Sequence, residues 1–320
     1  MLADVQGQDE GVRFLRKVVD QKLTSPLLLV GEEGVGRRFS ALQAVKELSC
    51  MEGRTSNCPC IACTQIDMGM YSDLTVITVP EDKRIDVETI RTLIEQTWSY
   101  PSMGNFKCFI IDGADRMTPA AANAFLKTLE EPPPTVRFFL ISESYDLVLP
   151  TIRSRCAKIA YRPLTESLVL SMVQRFEKDV AKALVYARMG EGSVGRATRY
   201  WSSGRLGLRD RVFSSLRLAL GGELPSLFSS IDAIGAADLP LSLRFFDHLL
   251  HDLLMVRHAP DRLINLDLQE DLVQISGKVS PEVVAKFARG LQTVRERYRR
   301  TRINLAFHMK ALFAETFVGS

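Results

Sequence analysis

Residues 26–48 read PLLLVGEEGVGRRFSALQAVKEL. Positions 27–30 are a short apolar run bounded by Pro26 and Gly31, the pattern of a strand buried on both faces. Gly31, Gly34 and Gly36 then lead into a helical pattern over 39–48. A strand, a glycine-rich turn and a helix in this order aim backbone N–H groups and the positive end of the helix dipole at an anion, which is the geometry of a phosphate loop. In a working loop a Lys reaches the β and γ phosphates and the following Ser or Thr hydroxyl binds Mg2+, but these places hold Arg37 and Arg38. Arg38 has no lone pair to offer a metal. Arg37 keeps the charge but presents a wide planar fork instead of a compact ammonium.

Outward from this segment, short apolar runs at 26–30, 74–79, 107–111, 137–141 and 157–160 alternate with helical patterns near 39–48, 87–98 and 119–130. That alternation predicts an α/β nucleotide-fold domain, a parallel sheet with helices on both faces, over residues 1–163. Beyond Pro163 the strand signals vanish, and helices are punctuated at 190–195, 204–207, Gly221, Gly222, Pro240 and Pro281. A small helical lid is expected at 164–206 and a second all-α domain at 207–320. With 46% hydrophobic and 25% charged residues, the 320-residue chain can build two or three real cores. Its 41 basic and 38 acidic residues leave a net charge of +3, so bulk electrostatics do not call for a nucleic-acid coat. No apolar run reaches membrane-spanning length and the N-terminus lacks a hydrophobic signal core, which predicts a cytoplasmic protein.

Residues 120–134 read AAANAFLKTLEEPPP, and 151–156 read TIRSRC. Thr118 is a good N-cap, Pro119 suits the first helical position, and Ala122, Phe125, Leu126 and Leu129 repeat at helical spacing until Pro132 ends the helix. Together with the degenerate loop and the order of elements, these segments resemble the clamp-loader branch of the AAA+ ATPases, and within it the delta-prime family of bacterial DNA polymerase III. The resemblance is specific over 1–163 and only architectural beyond about 206. It implies a collar that oligomerises at 207–320, gamma/tau ATPase subunits and a delta subunit as partners, and a sliding clamp and primer-template DNA reached through the assembly.

Residues 109–112 end a strand with the carboxylate of Asp112, which could hold Mg2+, but Gly113 stands where the AAA+ pattern has its catalytic Glu. Asp115 matches the last Asp of the family's Asp-Glu-Ala-Asp pattern. With Arg37 and Arg38, this makes three losses, so Gly31, Gly34, Gly36, Arg37, Arg38 and Asp112 form a degenerate nucleotide site without hydrolysis of its own. The resemblance gives Arg155, in Ser154-Arg155-Cys156, the role of an arginine finger inserted into the next subunit's ATP site, a role that needs a planar and permanently charged donor. The plainer reading makes Arg153 and Arg155 surface arginines at a domain edge. Arg196 lies near the lid position where active relatives carry a second phosphate-sensing arginine, and above a defective loop it reads as structural.

Cys50, Cys58, Cys60 and Cys63 cluster, and in a cytosolic chain such a cluster points to metal rather than disulfides. Four thiolates suit tetrahedral structural Zn2+. The related family carries a zinc module here, usually with eight, two and two residues between ligands, whereas these intervals are seven, one and two. Reduced thiols or a degenerate site are the other reading. Cys108 and Cys156 fit isolated buried positions. Arg295, Arg297, Arg299, Arg300 and Arg302 surround Tyr298, and a solvated helix face accounts for them more simply than a nucleic-acid groove. His248 and His251 share an apolar helix with no third ligand nearby in sequence. The competing functions are a gamma/tau-like or replication-factor-like ATPase, disfavoured by Arg37, Arg38, Gly113 and the lack of a long tail before Ser320, and a Holliday-junction or other DNA-remodelling motor.

Overall fold

The computed structural model describes residues 1–80, 83–301 and 303–317. Strands β1 (Leu27–Val30), β2 (Leu74–Thr78), β3 (Lys107–Asp112), β4 (Val136–Ser142) and β5 (Ala157–Ala160) form one sheet in the order β2-β3-β4-β1-β5. Every pairing is parallel, with Leu27 beside Phe139 on one side and Ala157 on the other, and Asp112 beside Thr78 and Ile141. Alternate residues of each strand face opposite sides. Leu27, Leu29, Ile110, Phe139 and Ile159 join one core cluster, and Leu28, Val30, Phe109, Ile111, Phe138 and Leu140 join another. Both faces are therefore covered, which is why these strands read as continuous apolar runs.

Helices α1 (Asp9–Asp20), α2 (Arg37–Ser49) and α3 (Ile61–Asp67) contribute to the first cluster. Helices α4 (Val87–Thr97), α5 (Pro119–Glu130) and α6 (Pro150–Arg153) contribute to the second. The α5 start is as the sequence predicts, because Thr118 Oγ1 accepts the Ala121 N–H at 3.2 Å and Pro119 occupies the first turn. Its Phe125 is fully buried and meets Phe138 edge-on at 5.1 Å. Helices α1, α3 and α6 lie outside the helical patterns picked out above.

The remaining described residues carry no strand, as expected, and fold into α7 (Glu166–Val173), α8 (Val180–Met189), α9 (Val194–Ser202), α10 (Leu206–Leu220), α11 (Leu224–Ile234), α12 (Leu239–Met255), α13 (Gln269–Ser276), α14 (Pro281–Thr301) and α15 (Leu305–Phe317). Pro240 and Pro281 open helices rather than separate them, since a first-turn proline gives up no helical hydrogen bond. The chain divides into two compact units, residues 1–168 with 192–195, and 169–191 with the residues from 196 onward. Phe246, Phe287 and Phe313 are fully buried and mutually packed at the centre of the second unit. Among the described residues, no helix is long and apolar enough to cross a membrane.

Candidate functional site

The phosphate-loop backbone is built as the glycines demand. A Cβ on Gly31 would lie 2.5 Å from the Tyr161 carbonyl oxygen, so only glycine fits between β1 and β5 there. Gly36 is left-handed at φ +103 and serves as the N-cap of α2. Gly34 is also left-handed, and its carbonyl accepts the Gly195 N–H at 3.1 Å, while the Glu33 carbonyl accepts from Ser193 Oγ at 2.7 Å. Residues 193–195 thus close over the loop, a contact that sequence spacing across so many positions does not disclose.

Arg37 and Arg38 occupy the first turn of α2, where the dipole disfavours cations. Carboxylates offset that cost. Arg38 Nη1 lies 3.6 Å from Asp112 Oδ2 and donates to Thr78 Oγ1 at 3.3 Å. Arg37 is only 6% exposed, and its Nη1 makes no hydrogen bond among the described residues. Burial draws its guanidinium below the ordinary arginine value, and Glu143, Asp112, Asp115 and Glu33 oppose that shift. The third departure is equally specific. Gly113 is left-handed, and the Arg116 guanidinium lies over it so closely that a Cβ there would sit 2.3 Å from Nη2. Arg116 Nη2 also donates to the Asp112 carbonyl at 3.3 Å. Three guanidinium groups therefore gather around the end of β3, and none can ligate a metal. The Asp112 carboxylate is met by Arg38 rather than by a second carboxylate or a hydroxyl ligand. Only Gly113 hinted at the role of Arg116, and then only as a missing side chain.

At the other end of α5, Arg155 follows α6, the short helix anchored by buried Ile152. Its Nε donates to Glu130 Oε1 at 2.6 Å, Nη2 donates to the same oxygen, and Nη1 donates to the Thr151 carbonyl at 3.0 Å and Ser154 Oγ at 3.1 Å. Arg153 points elsewhere, donating to Asp146 Oδ1 at 3.2 Å with its guanidinium 4.8 Å from the Tyr145 ring centre. The two arginines of the motif are thus held in different ways. Arg196 is engaged by Glu191, whose Oε2 accepts from both Arg196 and Arg244 at 2.9 Å.

Cys50 caps the end of α2, Cys58 and Cys60 flank Pro59, and Cys63 lies in the first turn of α3. Their four sulfurs all lie within 4.8 Å of one another, the Cys50–Cys58 separation being 3.6 Å. A tetrahedral site with Zn–S bonds of about 2.3 Å requires sulfurs about 3.8 Å apart. The quartet fits that requirement, and the short Cys58-Pro59-Cys60 step still leaves both sulfurs inward. Burial opposes ionisation of Cys60, but backbone hydrogen bonds involving Cys63 and Met51 help bring its thiol down to about 6. Burial and the neighbouring Cys60 and Cys50 hold the Cys63 thiol above its ordinary value. A dication relieves this mutual opposition between thiolates. Among the described residues no other group of Cys, His, Asp and Glu gathers to hold a metal.

His248 is buried with Nε2 3.3 Å from Glu191 Oε1, and His251 is 40% exposed with Nδ1 3.1 Å from Asp252 Oδ1. Arg295 is committed to Asp247 and to the Leu243 carbonyl, while Arg297 and Arg300 are exposed. The Arg299 side chain and Arg302 lie outside the described residues.

A family model described as "DNA polymerase III, delta subunit" matches residues 7–165. The delta-prime subunit of Escherichia coli DNA polymerase III is 28% identical over 261 residues, covering 80% of this chain and 77% of that one. The gamma subunit of Buchnera aphidicola is 34% identical over 176 residues, covering 52% and 48% respectively, so the chain spans about half of that relative. In three dimensions, a gamma subunit-related protein from Thermotoga maritima superposes with a TM-score of 0.51 at 18% identity, over 97% of this chain and 99% of that one. The shared fold agrees with the fold class read from the sequence, a parallel sheet with helices followed by an all-helical region.

Proposed function

The chain belongs to the clamp-loader subunits of DNA polymerase III, and we propose that it is their non-hydrolysing, delta-prime-like member, which acts on a neighbouring ATPase rather than on nucleotide of its own. The observation that carries this reading is the gathering of Arg37, Arg38 and Arg116 around Asp112 and Gly113, where hydrolysis needs a compact ammonium, a metal and a carboxylate. The gamma relatives match as well, yet in this chain the residues at those positions lack the required chemistry. Arg155, 28% exposed just beyond the short helix α6, which packs against α5, is the finger on this reading. A guanidinium placed against a neighbour's γ-phosphate neutralises charge that develops in transfer and contributes about 10³ to 10⁵ in rate.

In this assembly, residues 164–206 serve as the lid and 207–320 as the collar that joins gamma/tau and delta subunits. Turnover in the neighbours opens and releases the sliding clamp around primer-template DNA in the cytoplasm. Cys50, Cys58, Cys60 and Cys63 hold structural Zn2+, tying the end of α2 to α3. The test is reconstitution with gamma/tau, delta, clamp and primed DNA, comparing wild type with Arg155→Ala. Loss of turnover with the assembly intact, and no hydrolysis by the isolated chain, is expected. Unchanged turnover refutes the finger, and hydrolysis by the isolated chain returns the gamma/tau-like reading.

A further inference from the structure

An acid at the C-terminal end of a helix faces the negative end of the dipole. Glu130, the last residue of α5, is such an acid, followed by Glu131 and three prolines that end the helix. Its carboxylate is met by Arg155, twenty-five positions further along the chain. The donors that Arg155 uses are informative. A guanidinium has five N–H groups. Glu130 takes the side edge, Nε and one Nη2 hydrogen, on a single oxygen, and the α6 turn takes Nη1 through Thr151 and Ser154. One hydrogen is left over, the second on Nη2, and it lies at the far end of the fork, the end that approaches an oxyanion head-on.

We infer that Glu130 is a positioning residue for Arg155, bracing the side edge of the guanidinium so that its far end is presented to a phosphate on a neighbouring subunit. The inference rests on the finger reading of Arg155. Two physical points choose positioning over a latch that withholds the arginine. The pair is exposed, 28% at Arg155 and 49% at Glu130, and an exposed pair is too weak to compete with a polyphosphate for a guanidinium. It is strong enough to narrow the rotamers of a long side chain, and a rotamer narrowed before docking is freedom not lost on docking. The brace is itself immobile, since α5 is fixed through buried Phe125 and Leu129 and packs against α6.

The test uses the reconstituted assembly and the neighbour's steady-state ATPase, with Glu130→Ala, Glu130→Gln, Arg155→Ala and the Glu130→Ala/Arg155→Ala double variant. Glu130→Ala is expected to lower kcat about 10- to 100-fold at unchanged KM for ATP, as misplacement of a catalytic group does. Glu130→Gln keeps an acceptor oxygen and should recover much of the loss. The double variant should be no slower than Arg155→Ala alone, because a brace without its arginine has nothing to hold. Turnover by Glu130→Ala that equals or exceeds wild type, or a double variant slower than Arg155→Ala, overturns the positioning role while leaving the finger standing. Wild-type turnover by Arg155→Ala refutes the finger itself. Unfolding midpoints and the size of each assembly separate these outcomes from misfolding.

Discussion

Replacing Arg37 with Ala removes a guanidinium that is 6% exposed and faces Asp112, Asp115, Glu143 and Glu33. Asp112 keeps Arg38, whose side chain is 49% exposed, and Arg116 stays over the adjacent Gly113. The acids left behind are half-buried, with Glu143 at the surface, so the loss is that of charged interactions to partly solvated groups, about 1.5–3 kcal/mol, and not the larger cost of stranding a fully buried charge. Relieving the first turn of α2 of a cation returns about 0.3–1 kcal/mol. The net loss is about 1–3 kcal/mol, which at about 2–4 °C per kcal/mol for a unit of this size lowers Tm by roughly 2–12 °C. Arg38→Ala removes an exposed pair of about 0.2–1 kcal/mol and gains the same dipole relief, so it should move Tm by no more than about 2 °C. Arg37→Lys keeps the charge and should regain at least half of the loss. Thermal unfolding followed by circular dichroism, with a tryptophan signal from Trp98 in the first unit, makes the comparison. If Arg37→Ala unfolds within about 2 °C of Arg38→Ala, the buried guanidinium is not what neutralises the acids, and the account of the site fails.

Cys63→Ala should abolish metal binding, read by elemental analysis of the purified chain, and a strong chelator should lower the wild-type midpoint while leaving that of Cys63→Ala unchanged. Phe125→Ala empties a fully buried position packed edge-on against Phe138 and should cost about 3–5 kcal/mol in denaturant unfolding; a loss under about 1 kcal/mol would mean that the core collapses around it. Burial pushes the Cys108 thiol up to about 12. The unfolded thiol ionises near 8.5, so stability is intact below that value and falls by about 1.4 kcal/mol per pH unit above it; Cys108→Ala should flatten this alkaline slope.

The parts of the fold that depend on neighbours in sequence were legible. Thr118, Pro119 and the apolar spacing of Ala122, Phe125 and Leu129 contain the whole of α5, and the five apolar runs mark the strands because both faces of the sheet are covered. Helix α1 carried its own spacing in Leu15, Val18 and Val19, but its short polar turns lacked a strong cap: Gln8 makes no side-chain cap bond. The tertiary pairings were not legible. Arg116 over Gly113, Ser193 on Glu33 and Glu130 on Arg155 join residues whose types are common and whose spacing has no period. The cysteine quartet lay between these cases. Its intervals were unusual, yet four sulfurs need only converge, and the loop between α2 and α3, with Arg54 and Asn57 in left-handed conformations, supplies the turns.

On the proposed reading, the departures at the glycine loop and the end of β3 have a common electrostatic sense. A working site pairs its acids with a metal that arrives with nucleotide, so those acids are uncompensated whenever the site is empty. Here Arg37 and Arg38 bring positive charge to the same acids by covalent connection to α2, and Arg116 adds a third guanidinium from the turn after β3. Gly113 belongs to this arrangement, since a longer side chain there would displace Arg116. Restoring a single element, such as Gly113→Glu, would therefore place an acid against a guanidinium on a backbone at φ +102 rather than beside a water. These guanidinium groups are part of the chain, so the compensation is present without a ligand. On the proposed reading, this suits a subunit whose contribution is to hold Arg155 still while its neighbours bind and release nucleotide.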